Sequence, residues 1–149
     1  SFNVVGIAMR LGKNMEWTGL WHDSMHLKLV SWALSHDIVE VYTGDIPTPF
    51  KRALEQNGAK ILAAEEQFLK EYGGMSRDAE GSIFGMIVKV ADMLEAIWFL
   101  KDHGVGVHAE NVLHGLYDNL YDMIDKYESE FPDLKVRNGV KLTMKEMSL

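Results

Sequence analysis

The stretch IVKVADMLEAIWFL, residues 87–100, decides the fold. Its apolar residues Ile87, Val90, Ala91, Leu94, Ile97 and Trp98 recur every three or four positions, which places them along one side of a helix. The run is the most hydrophobic in the chain, so it predicts the central helix of an all-α domain, reaching from about Ser82 to His103, with Gly104 and Gly106 beyond it. The same period continues outward on both sides. A first helix is expected from about Ser1 to Leu11, halted by Gly12-Lys13-Asn14. A second is expected from about Met25 to Val41, with Leu27, Val30, Leu34, Ile38 and Val41 facing inward and Asp23 or Ser24 as its N-cap. Pro47 and Pro49 then break the chain. A mostly polar helical region follows from about Phe50 to Tyr72, irregular at Asn57-Gly58 and ended by Gly73-Gly74. A last helix runs from about His108 to Glu130, with Val112, Leu116, Leu120, Met123 and Tyr127 inward and Phe131-Pro132 at its end. No segment alternates like a strand, and the expected architecture is a helical bundle of about five or six helices.

The bulk properties bound what such a bundle does. With 149 residues there is material for one sizeable core and not for two ordinary ones, so residues 1–149 are expected to form a single domain. A formal charge of −7 argues against a nucleic-acid polymer as partner, because that needs a basic stripe to displace condensed counterions. The absence of cysteine removes disulfides, thiolate metal sites and thiol catalysis together, and it fits a cytoplasmic protein. Any metal must then be held by histidine and carboxylate. The longest apolar run, Ala96 to Leu100, is far too short for a bilayer span, so neither a membrane partner nor a secretory leader is expected.

Asp92 interrupts the central apolar run. A carboxylate in such a segment is costly to bury unless it is paired, hydrogen-bonded or bound to a cation. Lys89 is three residues earlier on the same face, so one reading is a Lys89–Asp92 ion pair. The other makes Asp92 a metal ligand and points Lys89 at a substrate phosphate. SWALSHDIVEVYTGDIPTP, residues 31–49, poses the same question. His36 and Glu40 are i and i+4 and leave a helix on one side, with Asp37 about 100° round from His36. Alone, such a pair reads most simply as a core histidine beside a surface carboxylate; Asp92 adds a ligand set as the alternative, and the pattern leaves both open. His22-Asp23 is a second His-Asp pair, which helix capping by Asp23 explains without a metal.

From His36 to Lys51 the chain reads HDIVEVYTGDIPTPFK. It resembles, at every fixed position, the HD-x-x-E-x-x-T-G-D-x-P-T-P-x-K signature of HD-domain metal-dependent phosphohydrolases, in particular the 5'-deoxynucleotidases and the compact phage dATP triphosphohydrolases. VKVADMLEA, residues 88–96, resembles the segment that bears that family's last Asp. The resemblance runs from Ser1 to about Tyr127, with the region from Lys70 to Ile83 shorter than in the bacterial nucleotidases. The family's first metal His stands in an E-H-S motif at the head of the first helix, and SFNVVGIAMRL, residues 1–11, resembles the helix that follows it. That His is therefore expected just before Ser1, with an upstream segment that brings an Arg and a Trp to the substrate.

The resemblance implies a division of labour. His36, Asp37 and Asp92, with the upstream His, would bind one divalent transition metal ion, Co, Mn, Zn, Fe or Ni. Glu40 matches the catalytic glutamate that orients water or carries its proton. Asp45 matches the carboxylate beside the sugar 3'-hydroxyl, which favours deoxyribose, and the prolines of DIPTP hold that turn rigid. Lys51 and Lys89 would neutralise phosphate charge. The leading expectation is hydrolysis of a deoxynucleoside monophosphate to deoxynucleoside and phosphate. The second is a triphosphohydrolase acting on dATP or another dNTP, which the small size and the shortened 70–83 region favour. The third is an inactive nucleotide-binding module. His22, His26, His103, His108 and His114 are assigned to structure or surface. A polar helix near Glu55 to Glu71 and exposed aromatics point to a homo-oligomer in the cytoplasm of a bacterium or phage-infected host.

Overall fold

The computed structural model describes residues 2–16, 23–35, 37, 44, 46, 48–68, 71 and 79–149. Among them are seven helices and no strand: α1 (Phe2–Asn14), α2 (Asp23–Ser35), α3 (Thr48–Gln56), α4 (Ile61–Phe68), α5 (Ala79–His103), α6 (Gly106–Glu130) and α7 (Val136–Glu146). The all-α class stands, with the helix count above the expected five or six. α5 is the hub. Its stripe of Ile87, Val90, Ala91, Leu94 and Ile97 is fully buried and packs against α1, α2 and α6. At its end the Gly104 amide donates to the Leu100 carbonyl at 2.7 Å. A Cβ at Gly104 would sit 2.4 Å from that same oxygen, so only glycine closes the helix this tightly.

α1 buries Val4, Ile7, Ala8 and Leu11, and it continues past the expected stop at Gly12 to Asn14. The reason is tertiary. The Asn14 side chain donates to the Thr143 hydroxyl at 3.0 Å and to Glu146, so α7 holds the last turn that Gly12 would otherwise release. α7 is itself the element the sequence reading lacked. It buries Val136, Gly139, Val140 and Thr143 between α1 and α6, and Arg137 ties it back to Glu128 at 3.0 Å and to Asp125.

α2 turns a different side to the core from the one expected. Met25, Leu29 and Ala33 are buried, whereas Leu27 is 72% and Leu34 54% exposed. Both arcs have helical spacing; the choice is made by Trp32, which lies over Gly85 of α5 where no side chain obstructs its ring. Ile38 and Val41 lie outside the described residues, and Asp37 is already in a turn, so the described part of α2 ends at Ser35 rather than Val41. Replacing Leu27 by Lys is expected to change stability by no more than about 0.5 kcal/mol, since the side chain leaves no buried contact. A denaturation midpoint clearly below the parent's would show that Leu27 is covered after all.

In α6, Leu120 and Tyr127 are buried as expected, Leu116 and Met123 are partly buried against the core, Ile124 is buried without having been expected, and Val112 is 40% exposed. The irregularity at Asn57-Gly58 is a turn between α3 and α4, with Gly58 at φ +87°. No helix among the described residues is long and apolar enough to cross a membrane.

Candidate functional site

Two of the expected metal ligands are described. Asp37 sits exposed in the turn that follows α2, and Asp92 sits on α5, the helix against which α2 packs. His36, Glu40 and Asp45 lie outside the described residues. Asp92 is exposed, which corrects the expectation of a buried carboxylate. α5 is buried on only one side, and Lys89, Asp92, Ala96 and Phe99 share the opposite face at i, i+3, i+7 and i+10. The acid thus fits an open site and not a charge trapped in the core. Lys89 is exposed, and among the described residues it makes no ion pair, so the alternative Lys89–Asp92 bridge is not formed.

Between α2 and α3 the structure describes Asp37, Gly44 and Ile46. Gly44 has φ +73°, a left-handed conformation that other residues rarely take. Pro49 stands in the first turn of α3, where a missing amide proton costs no helical bond. Lys51 then reaches across to α4. Its ammonium is 2.5 Å from Glu65, a carboxylate only 8% exposed, so part of its charge is already matched within the chain.

A cavity of about 290 Å³ opens beside Asp92 and is lined also by Asn3, Glu95, Ala96, Trp98 and Phe99. Glu95 is one turn beyond Asp92, so spacing alone would have found it. Asn3 belongs to α1, and its approach depends on how two helices register, which no sequence pattern shows. His103 has the structural role expected of it, with its Nδ1 3.1 Å from the Phe99 carbonyl and its ring stacked on Phe99 at 4.7 Å. Among the described residues no three His, Asp or Glu side chains gather closely enough to hold a metal ion. Of the expected ligands in this chain, His36 lies outside the described residues, so only Asp37 and Asp92 are among them.

Comparison with known proteins adds what the described geometry lacks. A protein of Salmonella phage PMBT28 named dATP triphosphohydrolase is 36% identical over 109 residues, 73% of this chain and 54% of its own. A protein of the same name from Acinetobacter phage SH-Ab 15497 is 30% identical over 128 residues, covering 78% of this chain and 60% of that one. The chain is similar to phage proteins named dATP triphosphohydrolase. A third, from Cyanophage S-2L, is 33% identical over 89 residues, 60% of this chain and 49% of its own length. The chain therefore spans about half to three fifths of the relatives it matches. No family model matches it, and neither does any solved structure.

Proposed function

We propose that the protein is an HD-type phosphohydrolase of deoxynucleoside triphosphates, with dATP as its reference substrate: dATP and water give deoxyadenosine and tripolyphosphate. The observation that carries this reading is the similarity to three phage proteins of that name. It moves the weight from the monophosphate expectation to the triphosphate one. His36, Asp37 and Asp92 are the residues that would hold the divalent transition metal, and a histidine with two carboxylates and no thiolate is a donor set that suits such an ion. When bound, the ion supplies Lewis acidity at the phosphoryl group and lowers the pKa of water.

The chain's own residues divide the remaining work. Glu40 orients the attacking water and takes its proton. Asp45 tests the sugar for a 3'-hydroxyl. Lys89, exposed one turn before Asp92, meets phosphate charge; Lys51 is the weaker candidate, because Glu65 already holds it. The exposed Leu34, Val105 and Val107 suit a homo-oligomer, which this reading places in the cytoplasm of the infected cell.

The test is incubation of the full-length protein with dATP and with dAMP, each with Co²⁺ or Mn²⁺. Tripolyphosphate and deoxyadenosine are expected from dATP. Orthophosphate from dAMP with no tripolyphosphate from dATP would return the function to a 5'-nucleotidase, and no turnover of either would leave a nucleotide-binding module.

A further inference from the structure

A second cavity, of about 370 Å³, is lined by Asn3, Gly6, Ile7, Arg10, Trp98 and Met147. It shares Asn3 and Trp98 with the cavity beside Asp92, so the two adjoin along α1 and α5. We propose that together they form one groove that seats the outer phosphates of the substrate and that Arg10 grips the last of them. The inference rests on the triphosphate reading above and names the residue that would tell a triphosphate from a monophosphate.

The groove has a direction. Asp92 and Glu95 stand at one end and Arg10 at the other. Asn3 and Arg10 are seven residues apart on α1, a rise of roughly 10 Å, which a phosphate chain and an arginine side chain together bridge. The head of the groove is acidic and suits phosphate only with a cation present; its far end presents a permanent cation. Arg10 is exposed, and among the described residues it makes no ion pair that a phosphate would have to displace. Its planar guanidinium matches two phosphate oxygens at once.

Gly6 is the independent sign that the groove is kept open. Glycine inside a helix is destabilising relative to alanine, so its presence calls for a reason. No described atom lies within 4 Å of where its Cβ would be, and packing within the chain therefore does not supply one. Any longer side chain there would project into the groove. The walls on either side are apolar, from Ile7, Trp98 and Met147, and they strengthen a guanidinium–phosphate attraction over its value in open water. In a chain of net charge −7 that local strength matters, because these 149 residues together repel a polyanion.

The experiment uses the full-length protein and compares kcat/KM for dATP and dAMP in the parent, Arg10→Gln, Arg10→Lys and Gly6→Leu. Arg10→Gln is expected to lower the dATP-to-dAMP ratio about ten- to a hundred-fold, mostly through KM, as loss of a charge-assisted contact does. Arg10→Lys restores part of the ratio, and Gly6→Leu, which fills the groove without touching a charge, lowers it again. An unchanged ratio overturns the proposal, whether both substrates lose equally or neither does. A second readout separates this inference from the function it rests on: calorimetric binding of tripolyphosphate to the parent, abolished in Arg10→Gln, supports the groove even if dATP is not turned over. Equal binding to both proteins sinks it.

Discussion

Asp92→Asn is expected to lower dATP hydrolysis by well over a hundred-fold while leaving the fold in place. The size follows from the role proposed for the carboxylate. Loss of an outer partner of a metal ligand costs about 10- to 100-fold in affinity or activity, and loss of the ligand itself exceeds that. Asparagine keeps the shape and one acceptor oxygen but removes the charge a cation needs. The fold is spared because Asp92 is exposed on the open face of α5, and an exposed substitution changes stability by about 0.5 kcal/mol or less. Three measurements separate the cases: turnover, metal content after dialysis, and the melting temperature of the metal-free protein. Lost turnover with lost metal and unchanged melting supports ligation. A melting temperature lowered by several degrees would make Asp92 a structural residue, and retained turnover would remove it from the site.

The same residue shows where sequence reading reached its limit. The choice of Asp92 came from a carboxylate in an apolar run, and the expected burial was wrong because period alone does not say how much of a helix's circumference is covered. α5 was legible because its apolar residues fill one wide stripe with charged residues outside it. α2 was not, because Met25, Leu29 and Ala33 compete with Leu27, Val30 and Leu34 as equally periodic arcs, and the winner was set by Trp32 against Gly85. The spacing from His36 to Lys51 is local and so stands in the sequence itself, although most of those residues lie outside the described ones. Asn3 meeting Asp92 in one cavity is not local, and nor is the ion pair of Lys51 with Glu65. α7 went unread because it is short and follows Pro132, and its reason for being helical lies in α1 and α6.

That dependence makes Gly139→Ala the stability change with the largest expected effect, a loss of about 2 kcal/mol. On propensity alone the substitution would favour α7 by up to about 1 kcal/mol, since glycine is a poor helix former. Packing reverses the sign. An added Cβ would lie 2.5 Å from Met15 Cγ, 2.8 Å from the Met15 backbone nitrogen and 2.9 Å from its Cα. The side-chain atom can move aside, but the two backbone atoms belong to the close of α1 and move only with it. Met15 is fully buried, and its carbonyl accepts from the Lys135 amide at 3.3 Å, while Lys135 and Glu16 form an ion pair beside it. Relief therefore requires α7 to lift from α1, which strains these contacts and that between Asn14 and Thr143 at once. Gly6→Ala is the matched control. It is the same change in the other helix of the pair, with no described atom within 4 Å, and it is expected to gain about 0.5–1 kcal/mol. Urea unfolding of the two variants against the parent, with unchanged m values, reads both signs in one series. If Gly139→Ala unfolds at or above the parent's midpoint, α7 does not rest on α1 at Met15, and the reason given for α1 running past Gly12 fails with it.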